Sequence, residues 1–198
     1  MLKFASAKIN LGLHIKKKPD GYHELETIFY PVKIYDVVEI LPSDTLELKI
    51  WNSKLIADND NLCLKAFRML EKEYNIDVVK IHLLKNIPIG AGLGGGSSDA
   101  SSTLQLLNDY FKLDISKNKL ADYASKLGAD CPFFLENRAV YAEGIGTELS
   151  SIDLDLSQYK IVVIKPDIHI STAEAYSKVS PMTPRIDLRD AIKLPIQE

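Results

Sequence analysis

The sequence predicts an α+β fold, with one large domain followed by the beginning of a second unit. The spacing of apolar residues and the position of a glycine run indicate this fold. Apolar and polar residues alternate over much of residues 5–51, as in strands with one buried face, whereas three later segments carry apolar residues at helical spacing. A run of glycines lies directly before the second of these helices. The early alternation favours an antiparallel sheet with helices following it.

Composition narrows the possible classes of protein. The 198 residues are 46% hydrophobic, enough for a sizeable core, and 24 Lys+Arg against 27 Asp+Glu give a net charge of −3. That balance argues against a nucleic-acid partner. Cys63 and Cys131 have no metal-ligand spacing, so we expect two small core residues in a reducing compartment. No apolar run is long enough to span a membrane and no signal peptide is evident, so we expect a cytoplasmic protein without a membrane partner.

The first strand runs from Ala5 to Ile15, with Lys8 and Asn10 on its polar face. A charged turn follows at 16–21. Extended segments are then predicted at 27–34, 36–41 and 45–51, the last as a hairpin partner.

Helices are predicted over about 14 residues from Leu62, from near Ser97, and from Ser116 to Leu127. Further strands are expected at 79–83, 133–135, 139–142 and 160–165, and a short helix at 172–179. Residues 154–198 show no periodic pattern long enough to close a domain. We therefore expect 1–153 to form the first domain and 154–198 an incomplete second one.

The most informative segment is the run from Pro88 to Ser98, with five glycines in seven residues before a helix. Glycines allow close backbone approach to a bulky anion, and successive N–H groups at a helix N-terminus provide donors for phosphate oxygens. We predict a phosphate-binding loop. Asp99, in the first helical turn, is expected to interact favourably with the helix dipole and to need no further role.

Two other phosphate motifs fit less well. Gly90, Gly92 and Gly95 satisfy the dinucleotide-binding pattern, with Asp114 as the acid, but that fold needs a parallel strand where residues 104–113 predict a helix. No Gly-Lys-Ser or Gly-Lys-Thr follows the glycines, so a Walker lysine is missing.

Four blocks of the chain resemble the GHMP kinases, the group that includes galactokinase, homoserine kinase and mevalonate kinase. The blocks are residues 5–11 (ASAKINL), 20–24 (DGYHE), 88–98 and 127–134 (LGADCPFF). The resemblance implies a first domain like domain 2 of ribosomal protein S5 and a ferredoxin-like second domain. Members normally continue through that domain, so we expect this chain to be truncated at its C-terminus.

The resemblance also implies roles for individual residues. Lys8 and Asp130 are expected at the catalytic position, Asp130 as general base and Lys8 offsetting charge on the transferred phosphoryl group. The expected ATP-binding residues are Pro88, Ile89, Gly90, Ala91, Gly92, Leu93, Gly94, Gly95, Gly96, Ser97 and Ser98. The expected substrate-binding residues are Asn10, Tyr22, His23, Phe29, Arg138 and Tyr176.

The implied activity is ATP-dependent phosphorylation of an alcohol, with Mg²⁺ required and no identifiable metal ligand. The blocks at 5–11 and 20–24 favour the members whose small-molecule substrate is a methylerythritol linked to cytidine diphosphate, phosphorylated on its 2-hydroxyl for isoprenoid synthesis. A kinase for another small alcohol and a non-catalytic nucleotide-binding module are the alternatives. We expect a monomer or a homodimer.

Overall fold

The computed structural model describes residues 1–17, 23–55, 57–144, 146–166, 168, 174 and 186–195. Its strands are β1 (Leu2–Lys17), β2 (His23–Pro42), β3 (Glu47–Trp51), β4 (Val79–Leu84), β5 (Val140–Glu143) and β6 (Glu148–Ser151). Its helices are α1 (Leu62–Tyr74), α2 (Gly95–Phe111), α3 (Lys117–Leu127), α4 (Cys131–Glu136) and the short α5 (Leu188–Ala191). The predicted α+β class is confirmed.

The long strand β2 organises the sheet, whose order is β3-β4-β2-β5-β6 with β1 also paired to β2. Residues 37–42 of β2 pair antiparallel with β4, and residues 27–29 pair antiparallel with β5. The antiparallel β1 pairs along nearly the whole of β2, with register shifts at Ser6/Ala7 and Leu11/Leu13. The two extended segments predicted at 27–34 and 36–41 are therefore one continuous strand.

The prediction of β3 as a hairpin partner was wrong. β3 pairs only with β4 among the described strands, and it does so in parallel, from Glu47–Lys80 to Trp51–Leu84. Parallel neighbours need a long connection, and α1 lies between β3 and β4 in the chain. Alternation identified the strand, but it carries no information about which strand lies beside it.

Two other predicted strands were also wrong. Residues 133–135 belong to α4, where Pro132 occupies the first turn and Phe133 and Phe134 are buried. Proline suits this position because it has no N–H to leave unpaired. Residues 160–165 form no strand: Val162 and Ile164 are 79% and 85% exposed. The helix predicted at 172–179 lies outside the described residues except for position 174.

The main core lies where α1, α2 and α3 cover β2 and β4. Its fully buried side chains include Val38, Ile40, Phe67, Leu70, Ile81, Leu83, Leu104, Leu107 and Tyr123. Both cysteines are buried and free, as expected, and burial raises the pKa of Cys63 to about 12, so its thiol stays protonated. Among the described residues, no helix combines the length and the apolar character that crossing a bilayer requires.

Candidate active site

The glycine loop connects β4 to α2. Helix α2 begins at Gly95, slightly before the predicted start, and Gly94 is its N-cap in a left-handed conformation. The Ser98 N–H donates to the Gly94 carbonyl at 2.9 Å. Ser97 and Ser98 therefore lie inside the first turn rather than at the cap. The unpaired N–H groups and the positive end of the helix dipole are suited to an anion at this position.

Gly94 brings the loop close to two other elements. A Cβ atom at this position would lie 2.6 Å from Cζ of Phe134 and 3.1 Å from Cγ of Lys8, and φ is +70°. Both the close approach and the backbone angle require glycine. The N–H of Lys8 donates to the carbonyl of Leu93 at 2.9 Å, so the loop is held against β1 beside this lysine.

A cavity of about 430 Å³ lies under the glycine loop. The loop and Ser97 form one wall, and Leu55, Asn61 and Leu62 before and at the start of α1 form another. This second wall was not predicted from the sequence. Asn61 was recognisable as a helix cap, since its side chain accepts from the N–H of Cys63 at 2.9 Å, but nothing local indicated that it faces the glycines.

Lys8 and Asp130, predicted as a pair, lie together. The Nζ atom of Lys8 is 3.3 Å from Oδ2 of Asp130 and donates to Oδ1 of Asn10 at 2.6 Å. It also lies 4.5 Å from the ring centroid of Phe29. Asn10 is oriented in turn, because its Nδ2 donates to the hydroxyl of Thr27 at 2.9 Å. The lysine ammonium is therefore fixed by three neighbours from β1, β2 and the loop before α4.

Asp130 is more accessible than its partner. It occupies the N-cap position of α4, but its side chain makes no cap hydrogen bond. The side chains of Lys8 and Asp130 are 6% and 35% exposed. The start of α4 is held in place because the hydroxyl of Ser101 on α2 donates to the carbonyl of Cys131 at 2.7 Å. A carboxylate on a fixed backbone, paired with a lysine and open to solvent on one side, is suited to accept a proton from a bound hydroxyl.

A second lysine–aspartate cluster, which was not predicted from the sequence, lies beneath the loop. The Nζ atom of Lys85 contacts Oδ2 of Asp36 and lies 2.7 Å from Oδ2 of Asp99, and all three side chains are at most 4% exposed. The expectation that Asp99 needs no role beyond the helix dipole was therefore wrong. A signal was present: residues 79, 81 and 83 are the buried side of β4, and the same alternation places Lys85 inward.

Burial and pairing act against each other in this cluster. Burial lowers the pKa of Lys85, but the carboxylates of Asp99 and Asp36 outweigh it, so this pKa lies above the ordinary lysine value. Burial raises the pKa of Asp99 to about 7, against the lowering effect of Lys85. Among the described residues, Oδ1 of Asp99 has no hydrogen-bond partner.

The predicted substrate-binding residues are dispersed. Phe29 is 3% exposed and packs edge-on against Phe133, so little of its ring is available to a ligand. The Arg138 side chain is 58% exposed, pairs with Glu136 at 2.5 Å, and lines a different cavity of about 680 Å³ beside α3 and α4.

Three predicted residues cannot be placed at the site. Tyr22 and Tyr176 lie outside the described residues, and for His23 only the backbone, at the start of β2, is described.

Comparison with known proteins is consistent with this site. The family model for the GHMP kinase N-terminal domain matches residues 61–138, which include the glycine loop and Asp130. A 4-diphosphocytidyl-2-C-methyl-D-erythritol kinase from Bacteroides thetaiotaomicron is 48% identical over 204 residues, covering all of this chain and 74% of that protein. The chain belongs to the 4-diphosphocytidyl-2-C-methyl-D-erythritol kinase family.

Other relatives support membership of this kinase family. The kinase of the same name from Cytophaga hutchinsonii is 45% identical over 99% of this chain and 74% of that protein. A crystal structure of a 4-(cytidine 5'-diphospho)-2C-methyl-D-erythritol kinase has a TM-score of 0.79 and 31% identity, covering 98% of this chain and 70% of that chain. Methanococcus jannaschii mevalonate kinase, at a TM-score of 0.60 and 16% identity over 77% of this chain and 56% of its own, shares the fold. The predicted GHMP kinase resemblance is confirmed.

Proposed function

We propose that the protein transfers the terminal phosphoryl group of ATP to the 2-hydroxyl of 4-diphosphocytidyl-2-C-methyl-D-erythritol, a step of isoprenoid synthesis. The observation that carries the proposal is the 3.3 Å contact between Lys8 and Asp130 directly beside the glycine loop. It joins a base and a cation to a phosphate-binding element. The names of the relatives, together with the large share of each relative that this chain matches, support the choice of substrate.

In this proposal Asp130 accepts the proton of the substrate hydroxyl while the hydroxyl oxygen attacks the terminal phosphorus of ATP. The bond from that phosphorus to the bridging oxygen breaks, and ADP leaves. Lys8 stabilises negative charge on the transferred group, and the N–H groups of the loop and of the first turn of α2 bind the phosphates of the nucleotide. Asn10 keeps Lys8 in position and is close enough to the pair to orient the hydroxyl.

The residues present fit ATP, because the cavity has a glycine wall for phosphates and a second wall on which Leu55 and Leu62 supply apolar surface and Asn61 a polar group. The described residues contain no group of three acidic, histidine or cysteine side chains that could hold a metal ion. Mg²⁺ is usually bound through one or two carboxylates together with substrate phosphates and water, and we propose that the phosphates of ATP would supply most of its ligands here. Mg²⁺ would neutralise phosphate charge.

Several narrower predictions belong to the same proposal. We place the cytidine end of the substrate near Tyr22, His23 and Tyr176, and residues 154–198 in a ferredoxin-like second domain that follows the first domain at 1–153. We also propose a cytoplasmic location and a monomeric or homodimeric state.

The test is ADP release with Mg²⁺, ATP and each of three alcohols: the cytidine-diphosphate-linked methylerythritol, mevalonate and homoserine. We expect turnover with the first alone, inhibition by CMP, and a product heavier by one phosphoryl group on the 2-hydroxyl by mass spectrometry and ³¹P NMR. Turnover with mevalonate or homoserine, or binding of ATP with no product from any alcohol, would refute the proposed substrate.

A further inference from the structure

The buried cluster formed by Asp36, Lys85 and Asp99 connects the two ends of the glycine loop. Asp36 lies on β2, Lys85 follows β4 just before the loop, and Asp99 is the fifth residue of α2, just beyond its first turn. The contact of Lys85 with Asp99, 14 residues further along the chain, therefore connects the segment before the loop with the helix after the loop.

Asp36 holds the same segment through its other oxygen. Oδ1 of Asp36 accepts the backbone N–H groups of Asn86 and Ile87 at 2.5 and 2.8 Å, while its Oδ2 contacts Lys85. The Asp36 side chain is fully buried. A single carboxylate thus fixes the two residues that precede Pro88, 50 positions away in the sequence.

The loop backbone rests directly on this cluster. A Cβ atom at Gly95 would lie 3.2 Å from Nζ of Lys85 and 3.3 Å from Oδ2 of Asp36. Lys85 and Asp99 also line the cavity under the loop. A shift of the cluster would therefore be transmitted to the N–H groups at the start of α2.

The charge pattern separates this cluster from an ordinary phosphate-binding lysine. Lys85 is the one lysine that lines the loop cavity in the described part of the chain, yet its ammonium is already engaged by two carboxylates. A phosphate would have to compete with both of them inside a buried site.

We propose that Asp36, Lys85 and Asp99 act as a positioning clasp, which closes the glycine loop into the conformation that binds the phosphates of ATP. None of the three is expected to touch the reacting atoms. The clasp acts through the loop, so it determines affinity for the nucleotide and leaves affinity for the alcohol substrate unchanged. This inference rests on the proposed function for the identity of the nucleotide.

The test compares Lys85→Met and Asp99→Ala with the conservative Asp99→Asn, which keeps an acceptor for Lys85, and with Lys72→Met on the exposed surface of α1. Three quantities are measured: the Kd for ATP and the Kd for the alcohol substrate, both by titration calorimetry, and amide hydrogen exchange of the protein without nucleotide. We expect the Kd for ATP to rise at least tenfold in Lys85→Met and about threefold in Asp99→Ala, with the Kd for the alcohol unchanged. Asp99→Asn and Lys72→Met should stay within twofold of wild type.

Hydrogen exchange separates positioning from direct phosphate binding and from general destabilisation. We expect faster exchange at residues 86–98 and unchanged exchange in α3 for both clasp variants. Weaker ATP binding with wild-type exchange would indicate direct phosphate binding by Lys85 and would overturn the clasp. ATP affinity at the wild-type value, or exchange that rises equally in every element, would overturn it as well. If Lys85→Met does not fold, Asp99→Ala decides, because it leaves the Asp36–Lys85 pair intact.

The two proposals fail in different ways. A protein that binds ATP with these variant effects but phosphorylates none of the alcohols refutes the proposed function and supports the clasp. A protein that phosphorylates its alcohol while both clasp variants keep wild-type ATP affinity refutes the clasp alone. Absence of ATP binding in the wild-type protein would overturn both.

Discussion

Two lysine–aspartate groups lie on either side of the glycine loop, and their surroundings differ sharply. Lys8 faces one carboxylate, Asp130, whose side chain is 35% exposed. Lys85 faces two carboxylates, Asp36 and Asp99, whose side chains are 0% and 4% exposed. The aspartate is therefore partly accessible to a ligand in the Lys8 pair, whereas both aspartates are buried in the Lys85 cluster.

We infer that this difference in burial separates a carboxylate that takes part in the reaction from carboxylates that only position the loop. An exposed carboxylate can exchange its lysine contact for a substrate hydroxyl at little cost in desolvation, because water remains within reach. A sealed cluster cannot change partners without leaving a charge unpaired in a medium of low polarity. We therefore expect loss of Asp130 to affect turnover most, and loss of Lys85 to affect folding and the loop.

The largest expected effect is that of Asp130→Asn. Removing a general base lowers turnover by about 10²–10⁴-fold. The Kd for ATP should change by less than about twofold, because Asp130 does not line the loop cavity. Steady-state ADP release and titration calorimetry measure the two quantities, with exposed Asp122→Asn on α3 as control. Near-normal turnover would remove Asp130 from the role of base.

Lys85→Met tests the sealed side of the comparison. It leaves two buried carboxylates without their cation, and breaking a buried pair in this way typically costs about 3–5 kcal/mol of unfolding free energy. Lys8→Met should cost clearly less, since Asp130 remains open to water. Urea unfolding followed by circular dichroism gives both values. Equal losses in the two variants would contradict the distinction between the clusters.

Gly94→Ala tests how closely the loop fits between the two clusters. The new Cβ would meet Phe134 at 2.6 Å at a φ of +70°. We expect a loss of about 1–3 kcal/mol in stability and weaker ATP binding. Gly92→Ala is the matched control, because φ is +71° there but no atom lies within 4 Å of the added Cβ. Identical effects in both variants would show that backbone strain alone is responsible.

The raised pKa of Asp99 predicts a pH dependence of stability. The pKa is about 7 in the folded protein against an ordinary value of 3.8, so between these limits the folded state binds more protons than the unfolded state. Stability should therefore fall as pH rises from about 4 to about 7, by at most about 1.4 kcal/mol per pH unit. Urea unfolding across this range should show this slope reduced in Asp99→Asn. A variant with the wild-type slope would contradict the assignment.

The smallest expected effect is that of Arg138→Gln. The Arg138 side chain forms an exposed pair with Glu136 and lines a cavity other than that of the glycine loop. Exposed pairs contribute about 0–1 kcal/mol, and we expect the KM for the alcohol to change by less than about twofold. A tenfold rise in KM would restore Arg138 to the substrate site predicted from the sequence.

Local patterns predicted most of the elements and one side of the site. The glycines at 90–96 and the alternation around Lys8 each lie within one short segment of the sequence, so both can be interpreted without knowledge of the fold. The pairing of Asp36 with Lys85 spans 49 residues, and no periodic pattern encodes it. The parallel pairing of β3 with β4 was missed for the same reason.

Helix α4 shows a different limit. Residues 133–135 are two phenylalanines and a leucine, which are common in strands and in buried segments. They are helical here because a proline occupies the first turn of α4 and because α4 packs against α2. Tertiary contacts here override intrinsic preference. Asp130 was located only through the resemblance of residues 127–134 to a kinase motif, since its position before a short helix has no local signature of a base.

The most direct measurement is a single-turnover experiment at saturating ATP and Mg²⁺, with the cytidine-linked alcohol and rapid quenching, on Asp130→Asn and Asp99→Asn in parallel. We expect the transfer step to slow at least a hundredfold in Asp130→Asn and by less than tenfold in Asp99→Asn. A slow transfer step in Asp99→Asn together with a near-normal one in Asp130→Asn would contradict the division between an open catalytic pair and a sealed positioning cluster.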